Sequence, residues 1–203
     1  MLTRWDAWYS DDNLKKDVGI LAAPPSQCVK NAAAEFMRRG NQHILDLACG
    51  VGRDSSFLNE QGLSPIGVDA SLNGLKAARQ FKSASAAMAE FVAADARCLP
   101  FENEVFDGVY CFGLLHEFVG ADKDFAVNQV VAEIRRLLRK EGVLAIAVLA
   151  GNPEDGLPHV RLFTQQMFEN AMVGWKVLEI NCTEDVGCTN KAGYRVWYGL
   201  FEK

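Results

Sequence analysis

The sequence predicts an α/β protein with a doubly wound, mostly parallel β-sheet. Between residues 26 and 150, short apolar segments typical of buried strands alternate with segments whose apolar residues recur at helical spacing. The strand segment 143–150, VLAIAVLA, is apolar throughout, as expected for a parallel strand that helices cover on both faces. Strands and helices that alternate in this way form one parallel sheet with helices on its two sides.

Capping residues locate several helices. Ser26 is a favourable N-cap and Gly40 ends the helix that follows it, while Ser71 caps a later helix carrying Leu72, Leu75 and Phe81. The other predicted helices cover residues 54–61, 122–139 (ended by Gly142) and 164–172. The predicted strands of the alternating region cover residues 43–49, 64–70, 89–96, 106–113 and 143–150.

The C-terminal part of the chain follows another pattern. Residues 175–184 and 194–202 are both rich in β-forming residues, and only a loop containing Gly, Asn and Asp separates them. Two strands joined without a helix pair antiparallel, so we expect them at one edge of the sheet. Because the chain shows neither repeats nor an interdomain linker, residues 1–203 are predicted to form a single domain.

Composition restricts the class of protein. The chain has 203 residues, 49% of them hydrophobic, and a formal net charge of −5, which argues against a nucleic-acid partner. The one basic cluster, RRLLRK at 135–140, is interpreted as a solvated helix face in preference to a phosphate-binding patch. No apolar run reaches membrane-spanning length and the N-terminus lacks a signal-peptide core, so we expect a soluble, cytoplasmic protein without a membrane partner.

The six cysteines include no C-x-x-C pair. We therefore expect reduced, mostly buried thiols, and neither a disulfide framework nor a zinc site. No metal site is predicted.

A glycine loop follows the first predicted strand, in ILDLACGVGRDSSFL at 44–58. It contains Gly50 and Gly52 but not the third glycine of a dinucleotide fingerprint. Asp46 ends the strand and Asp54 lies near the start of the next helix, where two carboxylates would repel a pyrophosphate. A ligand with a cationic head group suits this loop better, and S-adenosylmethionine, with its ammonium and sulfonium groups, is such a ligand.

Two further acids end neighbouring strands. Asp69 closes the second strand about twenty residues after the loop, where an acid that binds a ribose is expected. Asp95 ends the third strand and is placed to accept a hydrogen bond from an adenine amino group, with the small Ala96 beside it. Parallel strands open their carboxyl ends onto one crevice, so we expect these acids to converge there.

These segments resemble the class I S-adenosylmethionine-dependent methyltransferases. LDLACGVGRDSSFLNEQGLSPIGVDAS resembles the family's first motif and its second-strand acid, and DARCLPFENEVFDGVYCFGLLHEF resembles the third and fourth motifs. The resemblance spans about residues 41–150 and implies a Rossmann-like seven-stranded sheet of order 3-2-1-4-5-7-6 with an antiparallel last strand. Ala48 replaces the first glycine of the family's pattern.

The resemblance also implies which residues bind the cofactor. Asp46 and the backbone of Ala48, Gly50 and Gly52 are expected at the methionine part. The remaining expected contacts are Asp69 with Ala70 at the ribose, Asp95 and Ala96 at the adenine, and Phe112 near the sulfonium.

The methyl acceptor leaves a weaker signal, because displacement at an activated sulfonium needs alignment more than a catalytic group. His116, next to Glu117 in GLLHEF, is a candidate base, or a histidine that only packs or hydrogen-bonds. His159 is a second candidate, and Arg161 would suit an acidic acceptor. Since little sequence is available for a larger acceptor site, a small molecule is predicted. The sequence leaves the oligomeric state open.

The N-terminal RWDAWYS carries Trp5, Trp8 and Tyr9. It resembles a W-D-x-x-Y segment of the thiopurine and tellurite-resistance methyltransferases that folds over the cofactor. This implies that residues 1–25 form a lid and that Tyr9 bonds the methionine carboxylate; an aromatic staple on the sheet is the alternative.

Two other functions remain open at this point. The absence of an acceptor motif is compatible with a non-catalytic scaffold or regulator on the same fold. A nicotinamide-dependent oxidoreductase is disfavoured by the missing third glycine and by the carboxylates at the loop.

Overall fold

The computed structural model describes residues 4–10, 24–80, 89–155, 158–185 and 194–203. Its strands are β1 (His43–Leu47), β2 (Ser64–Asp69), β3 (Glu90–Ala93), β4 (Phe106–Phe112), β5 (Leu138–Leu149), β6 (Lys176–Asp185) and β7 (Tyr194–Glu202). Its α-helices are α1 (Arg4–Trp8), α2 (Gln27–Arg39), α3 (Arg53–Glu60), α4 (Leu72–Gln80), α5 (Lys123–Leu137) and α6 (Gln165–Ala171). Short 3-10 helices cover Leu115–Glu117 and Pro153–Asp155.

The seven strands form one sheet in the order β3-β2-β1-β4-β5-β7-β6. Strands β1 to β5 pair in parallel, whereas β7 is antiparallel to both β5 and β6. The predicted fold class, the sheet order and the antiparallel pairing of the C-terminal strands are therefore confirmed.

Successive strand residues face opposite sides of the sheet, and each side has its own core. Leu45 and Leu47 of β1 belong to the cluster that α5 and α6 cover, while Ile44 belongs to the cluster under α2. Asp46, one residue beyond Leu45, shares the face of Ile44 and lies beside Tyr110 of β4 in the sheet register. The alternation thus directs Asp46 and Tyr110 to the same side, at the carboxyl end of the central strands.

The predicted caps are present. The Ser26 side chain accepts a hydrogen bond from the Val29 amide, and Gly40 ends α2 in the left-handed conformation. The Ser71 hydroxyl accepts from the Gly74 amide at the start of α4. Thr164, predicted as the first residue of its helix, is the N-cap of α6 and accepts from the Met167 amide.

Three predicted elements differ from the structure. Helix α5 ends at Leu137 and not at Arg139, because Leu138 adopts an extended conformation and pairs with Phe106 of β4. Strand β3 is shorter than predicted, since a hydrogen bond from the Cys98 amide to the Asp95 carbonyl closes a turn. Leu72 is 65% exposed, so it is not part of the buried face of α4. Phe81 lies outside the described residues.

The basic cluster at 135–140 lies at the surface, and its arginines make local contacts. Arg135 stacks on Trp175, and Arg139 is paired with Asp107. Arg136 donates to Glu133 and to the backbone carbonyls of Leu99 and Phe101. Arg136 therefore holds α5 to the loop before β4, Arg135 connects α5 to the loop before β6, and Arg139 links β5 to β4.

The cysteines that the structure describes are free thiols. Cys28, Cys49 and Cys111 are buried, Cys98 is exposed and Cys182 is half-buried; Cys188 lies outside the described residues. Within the described ranges, the helices are too short or too polar to cross a membrane.

One buried hydroxyl gives a stability prediction. Among the described side chains, the Tyr198 hydroxyl is the buried polar atom without a hydrogen-bond partner. Because an unsatisfied buried hydroxyl is costly, Tyr198→Phe is expected to raise the free energy of unfolding by about 1 kcal/mol. Urea denaturation measures this change. The matched control is Tyr110→Phe, which removes a hydroxyl bonded to Ser26 and Asp54 and should destabilise. Equal destabilisation by both variants would contradict the prediction.

Candidate functional site

The loop from β1 to α3 has an unusual backbone. Ala48, Gly50 and Gly52 have φ angles of 66°, 55° and 74°. Positive φ is disfavoured for a residue with a side chain, so Ala48 is strained where the family pattern has glycine. The Ala48 amide donates to the Val68 carbonyl at 2.7 Å, which ties the loop to the end of β2.

Glycine is needed at both later positions because neighbours approach closely. A Cβ on Gly50 would lie 2.6 Å from the Tyr9 hydroxyl, and one on Gly52 would lie 2.7 Å from the Phe91 ring. Gly50 therefore faces a cavity that Tyr9 covers. Gly52 packs toward β3 and is not among the cavity-lining residues, so its predicted contact with the methionine part is not supported.

A small cavity of about 40 Å³ lies between this loop and β4. Its lining combines loop backbone, aromatic rings and three charged side chains: Tyr9, Asp46, Ala48, Cys49, Gly50, Val51, Arg53, Asp54, Tyr110 and Phe112.

Asp46 is the most perturbed acid of the small cavity. It is 2% exposed, and its Oδ2 accepts a hydrogen bond from the Ser55 hydroxyl at 2.5 Å. Burial, and next the charge of Asp54, raise the pKa of Asp46 to about 7. A cation beside this carboxylate would favour its ionised form and would itself be stabilised.

Asp54 has a different role from the one predicted for it. Its carboxylate accepts from the Ser26 amide and hydroxyl at 3.2 and 2.9 Å, from the Tyr110 hydroxyl at 3.0 Å and from Arg53 Nε at 3.0 Å. These donors satisfy the charge of Asp54, so it joins α2, α3 and β4 and does not supply a free negative charge for a ligand. Of the two acids at the loop, Asp46 is the one suited to a cation.

A larger cavity of about 260 Å³ adjoins the small one along the ends of β1 to β4. The two share Tyr9, Ala48 and Phe112 as lining residues. The other residues that line the larger cavity are mostly apolar: Trp5, Leu47, Val68, Asp69, Ala70, Ala94, Asp95, Ala96, Arg97, Gly113, Leu114, Glu117 and Phe118.

Asp69 lies in the larger cavity and organises its edge. One carboxylate oxygen accepts from the Gly50 amide at 2.8 Å and the other from the Ser71 amide at 2.8 Å. Burial raises the pKa of Asp69, although these amide donors oppose the shift. Each oxygen retains acceptor capacity for a ligand hydroxyl, because a carboxylate accepts about four hydrogen bonds.

Asp95 lies at the rim of the same cavity. Its side chain is 50% exposed and is paired with Arg97 at 2.5 Å, and this arginine lowers the pKa of Asp95. Asp95 is therefore ionised at neutral pH. A ligand that binds the Asp95 carboxylate would share this acceptor with Arg97. The structure thus brings seven predicted residues to one cavity: Tyr9, Ala48, Asp69, Ala70, Asp95, Ala96 and Phe112.

The N-terminal segment lies against both cavities: Trp5 of α1 lines the larger one, and Tyr9, directly after α1, lines both. Trp5 stacks on Tyr9 with ring centroids 5.6 Å apart, and Tyr9 is 7% exposed. The Asp6 carboxylate accepts from the Ser71 hydroxyl at 2.8 Å and from the Asn73 amide at 3.3 Å. Trp8, by contrast, is 43% exposed. Trp5 and Tyr9 thus line the cavities and also pack in a small apolar cluster with Val51 and Ala77, so both the lid and the aromatic staple remain compatible with their placement.

His116 is not placed to act as a base. It is 7% exposed and is not among the residues that line either cavity. Its Nδ1 accepts from the Leu149 amide at 3.3 Å, so the neutral ring carries its proton on Nε2, which lies 3.8 Å from Glu117. Burial, and next the charge of Arg4, lower the pKa of His116 to about 4. The Nδ1 lone pair is thus occupied in the neutral ring, an arrangement that favours the alternative in which His116 only packs and hydrogen-bonds.

The second catalytic candidate is also displaced from the cavities. His159 is exposed and is not among the described lining residues. Arg161 is paired with Asp124 at 2.6 Å and lies over the Phe163 ring, so its charge is already used to hold the segment after β5.

Three residues of the site were not predicted. Arg53 brings a guanidinium into the small cavity, and its only sequence signal is that it directly follows Gly52. Tyr110 was counted only as part of an apolar strand, although its hydroxyl bonds Asp54. Glu117 was noted beside His116, yet it is Glu117 that lines the larger cavity.

The sheet order, the glycine loop and the acids along the strand ends define a class I methyltransferase architecture. A family model described as "Methyltransferase domain" matches residues 45–146, half of the chain. The chain therefore belongs to the class I S-adenosylmethionine-dependent methyltransferases.

Similarity to individual proteins is more distant. A demethylmenaquinone methyltransferase of Renibacterium salmoninarum is 33% identical over 107 residues, which are 52% of this chain and 40% of that protein. A solved structure from Pyrococcus horikoshii OT3 has a TM-score of 0.70 at 19% identity, over 100% of this chain and 99% of that one. The magnesium protoporphyrin IX methyltransferase of Synechocystis PCC 6803, solved with bound SAM, has a TM-score of 0.63 at 19% identity, over 97% and 89%.

The matches to curated relatives cover only part of those proteins. The chain spans 40–52% of the length of the curated relatives that it matches. The two structural likenesses lie below 25% identity and show the fold alone.

Proposed function

We propose that the protein transfers a methyl group from S-adenosylmethionine to a small-molecule acceptor. The observation that carries this proposal is the pair of adjoining cavities. One is small and lined by three charged side chains, among them the buried Asp46, and the other is larger, mostly apolar and lined by three further acids, Asp69, Asp95 and Glu117. An amino-acid head group joined to a nucleoside through a sulfonium has the same division of polarity.

The residues present fit that cofactor. Asp46 would bind the ammonium and Arg53, in the same small cavity, would bind the carboxylate, with Tyr9 as a further donor. Asp69 would bind the ribose hydroxyls, while Ala70, Ala96 and Asp95 would hold the adenine.

The cofactor supplies an electrophilic methyl group on a positively charged sulfur. The protein's own contribution is to align the acceptor and to exclude water. Phe112 lines both cavities and so would lie near the junction of the head group and the nucleoside. Because His116 is buried outside both cavities and His159 is exposed away from them, we infer that no histidine takes a proton from the acceptor.

Helix α1 supports a covering role for the N-terminal segment. Trp5 and Tyr9 line the larger cavity, so α1 would close over the cofactor as the predicted lid. Of the predicted lid, 1–25, the structure describes residues 4–10 and 24–25. The apolar walls formed by Trp5, Leu114 and Phe118 favour an apolar or aromatic acceptor.

Titration calorimetry with S-adenosylhomocysteine tests the cofactor assignment. We expect a 1:1 complex with a dissociation constant in the micromolar range or below, and absence of binding at high micromolar concentrations would refute it. Transfer of a labelled methyl group to a panel of phenols, amines, thiols and carboxylates then separates an enzyme from a scaffold that only binds the cofactor. A nicotinamide cofactor that raised Tm when S-adenosylhomocysteine did not would indicate an oxidoreductase instead.

A further inference from the structure

Glu117 is bonded mainly by residues of α1. Its Oε2 accepts from the Trp5 indole Nε1 at 3.2 Å and is paired with the Arg4 guanidinium. The Glu117 side chain is only 13% exposed and lines the larger cavity. Both donors belong to one short helix, so this carboxylate keeps these two partners only while α1 lies over the cavity.

The other side of Glu117 faces the body of the protein. His116, with its proton on Nε2, directs that nitrogen toward Glu117 Oε1 at 3.8 Å, and the Leu149 amide fixes the opposite ring nitrogen. The His116 carbonyl also accepts from the Arg161 amide at 2.8 Å. The 3-10 helix that carries Glu117 is thus anchored to the ends of β5 and of the segment that follows it.

A free Glu117 would be unfavourable. A carboxylate at an apolar wall loses solvation, and burial raises the pKa of Glu117 while Arg4 and Trp5 oppose that shift. In the covered state Arg4 and Trp5 supply the partners that this partly desolvated carboxylate needs.

We propose that Glu117 is the positioning residue that holds α1 over the cofactor cavity, through Arg4 and Trp5. Asp6, bonded to Ser71 and Asn73, anchors the same helix on the opposite side of the cavity. When the contacts to Glu117 break, α1 would move away from that side of the cavity and admit the cofactor. The bonds of Asp6 would keep the helix attached to the protein meanwhile. The part of this inference that concerns ligand access rests on the proposed function, whereas the attachment of α1 does not.

Hydrogen exchange on the ligand-free protein tests the attachment. Glu117→Gln retains an acceptor for Trp5 but loses the charge that binds Arg4, so exchange of the amides of residues 5–10 should accelerate roughly fivefold or more. Arg4→Gln should have the same effect, whereas Arg4→Lys, which keeps the positive charge, should accelerate exchange less. The double variant that combines Glu117→Gln with Arg4→Gln should exchange little faster than either single variant. Glu133→Gln is the matched control, because Glu133 is equally buried and is bonded to Arg136 and to the Leu99 amide, away from α1.

Stopped-flow tryptophan fluorescence with S-adenosylhomocysteine tests access. Glu117→Gln should raise the association and dissociation rates together by several-fold, whereas a merely destabilised fold would not raise the association rate. Unchanged exchange in both Glu117→Gln and Arg4→Gln would overturn the proposal, and unchanged rates would overturn the claim on access. If the wild-type protein failed to bind S-adenosylhomocysteine, the proposed function would fail while the exchange result still decided the role of Glu117.

Discussion

Asp46→Asn is expected to lower the affinity for S-adenosylhomocysteine by two to three orders of magnitude. Asp46 is 2% exposed and would pair with the ligand's ammonium group. Loss of one partner of a buried ion pair typically costs about 3–5 kcal/mol. The Ser55 hydroxyl can still donate to the asparagine oxygen, so the local packing should survive. Titration calorimetry at pH 8 measures the change.

The affinity of the wild-type protein should also depend on pH. Because the pKa of Asp46 in the ligand-free protein is about 7, the ligand ammonium meets an ionised partner only above that pH. The dissociation constant should rise up to tenfold for each unit of pH below 7 and level off above it. The Asn variant should lack this dependence.

The raised pKa of Asp46 also predicts how stability depends on pH. The stability of the ligand-free protein should fall as pH rises, whereas ligand affinity should increase. The carboxyl group has an ordinary pKa of 3.8 in the unfolded chain and about 7 in the fold, so the unfolded state releases its proton first as pH rises. Its contribution to stability is therefore present below pH 3.8 and is lost as pH rises to 7. Asp46→Asn should stabilise the ligand-free protein at pH 8, by up to about 4 kcal/mol.

Asp107→Asn is a suitable control for these measurements. Asp107 begins β4 at the opposite end of the sheet and bonds the Gln42 and His43 amides and Arg139. Its replacement should change stability without a change in ligand affinity. An affinity that is unaltered in Asp46→Asn and independent of pH would place the ligand's ammonium elsewhere.

Asp69→Ala is expected to weaken S-adenosylhomocysteine binding by roughly 1.5–3 kcal/mol, about 10- to 150-fold. The variant removes the acceptor for the ribose and also leaves the Gly50 and Ser71 amides without their carboxylate partner. A loss of stability of about 1–3 kcal/mol should accompany the loss of affinity. Calorimetry and urea unfolding measure the two effects separately.

A ligand series separates ribose recognition from damage to the loop. The wild-type protein should bind S-adenosylhomocysteine more tightly than its 2′,3′-dideoxyribose analogue, and Asp69→Ala should bind the two almost equally. The affinity ratio of the two ligands in the wild type, compared with the same ratio in Asp69→Ala, measures the contact between Asp69 and the ribose hydroxyls. If Asp69→Ala discriminated between the two ligands as strongly as the wild type, Asp69 would act only on the loop backbone.

Local signals in the sequence were sufficient for most of the fold. Ser26, Gly40 and Thr164 act at helix ends through their own backbone and side-chain chemistry, and the alternation of strands and helices required a parallel sheet. The end of α5 could not be predicted in this way. The apolar spacing continues through Leu138, and it is pairing with Phe106 of β4 that draws this residue into a strand.

The functional site likewise contains some residues that the sequence predicts and others that it does not. Residues at strand ends, such as Asp46 and Asp69, could be found because parallel strands always bring their carboxyl ends to one edge. The commitment of Asp54 to Ser26 and Tyr110 could not be found, because its partners come from a distant helix and strand. His116 and Glu117 are adjacent in sequence, yet only the turn after β4 decides which one faces the cavity.

The sequence by itself determined the sheet, the glycine loop and the acids that end β1 and β2, since each depends on residue type and short-range periodicity. Only the tertiary structure decided which charges remain available to a ligand. Charge availability depends on burial and on partners far apart in the chain, as the pairing of Glu117 with Arg4 and of Arg161 with Asp124 demonstrates.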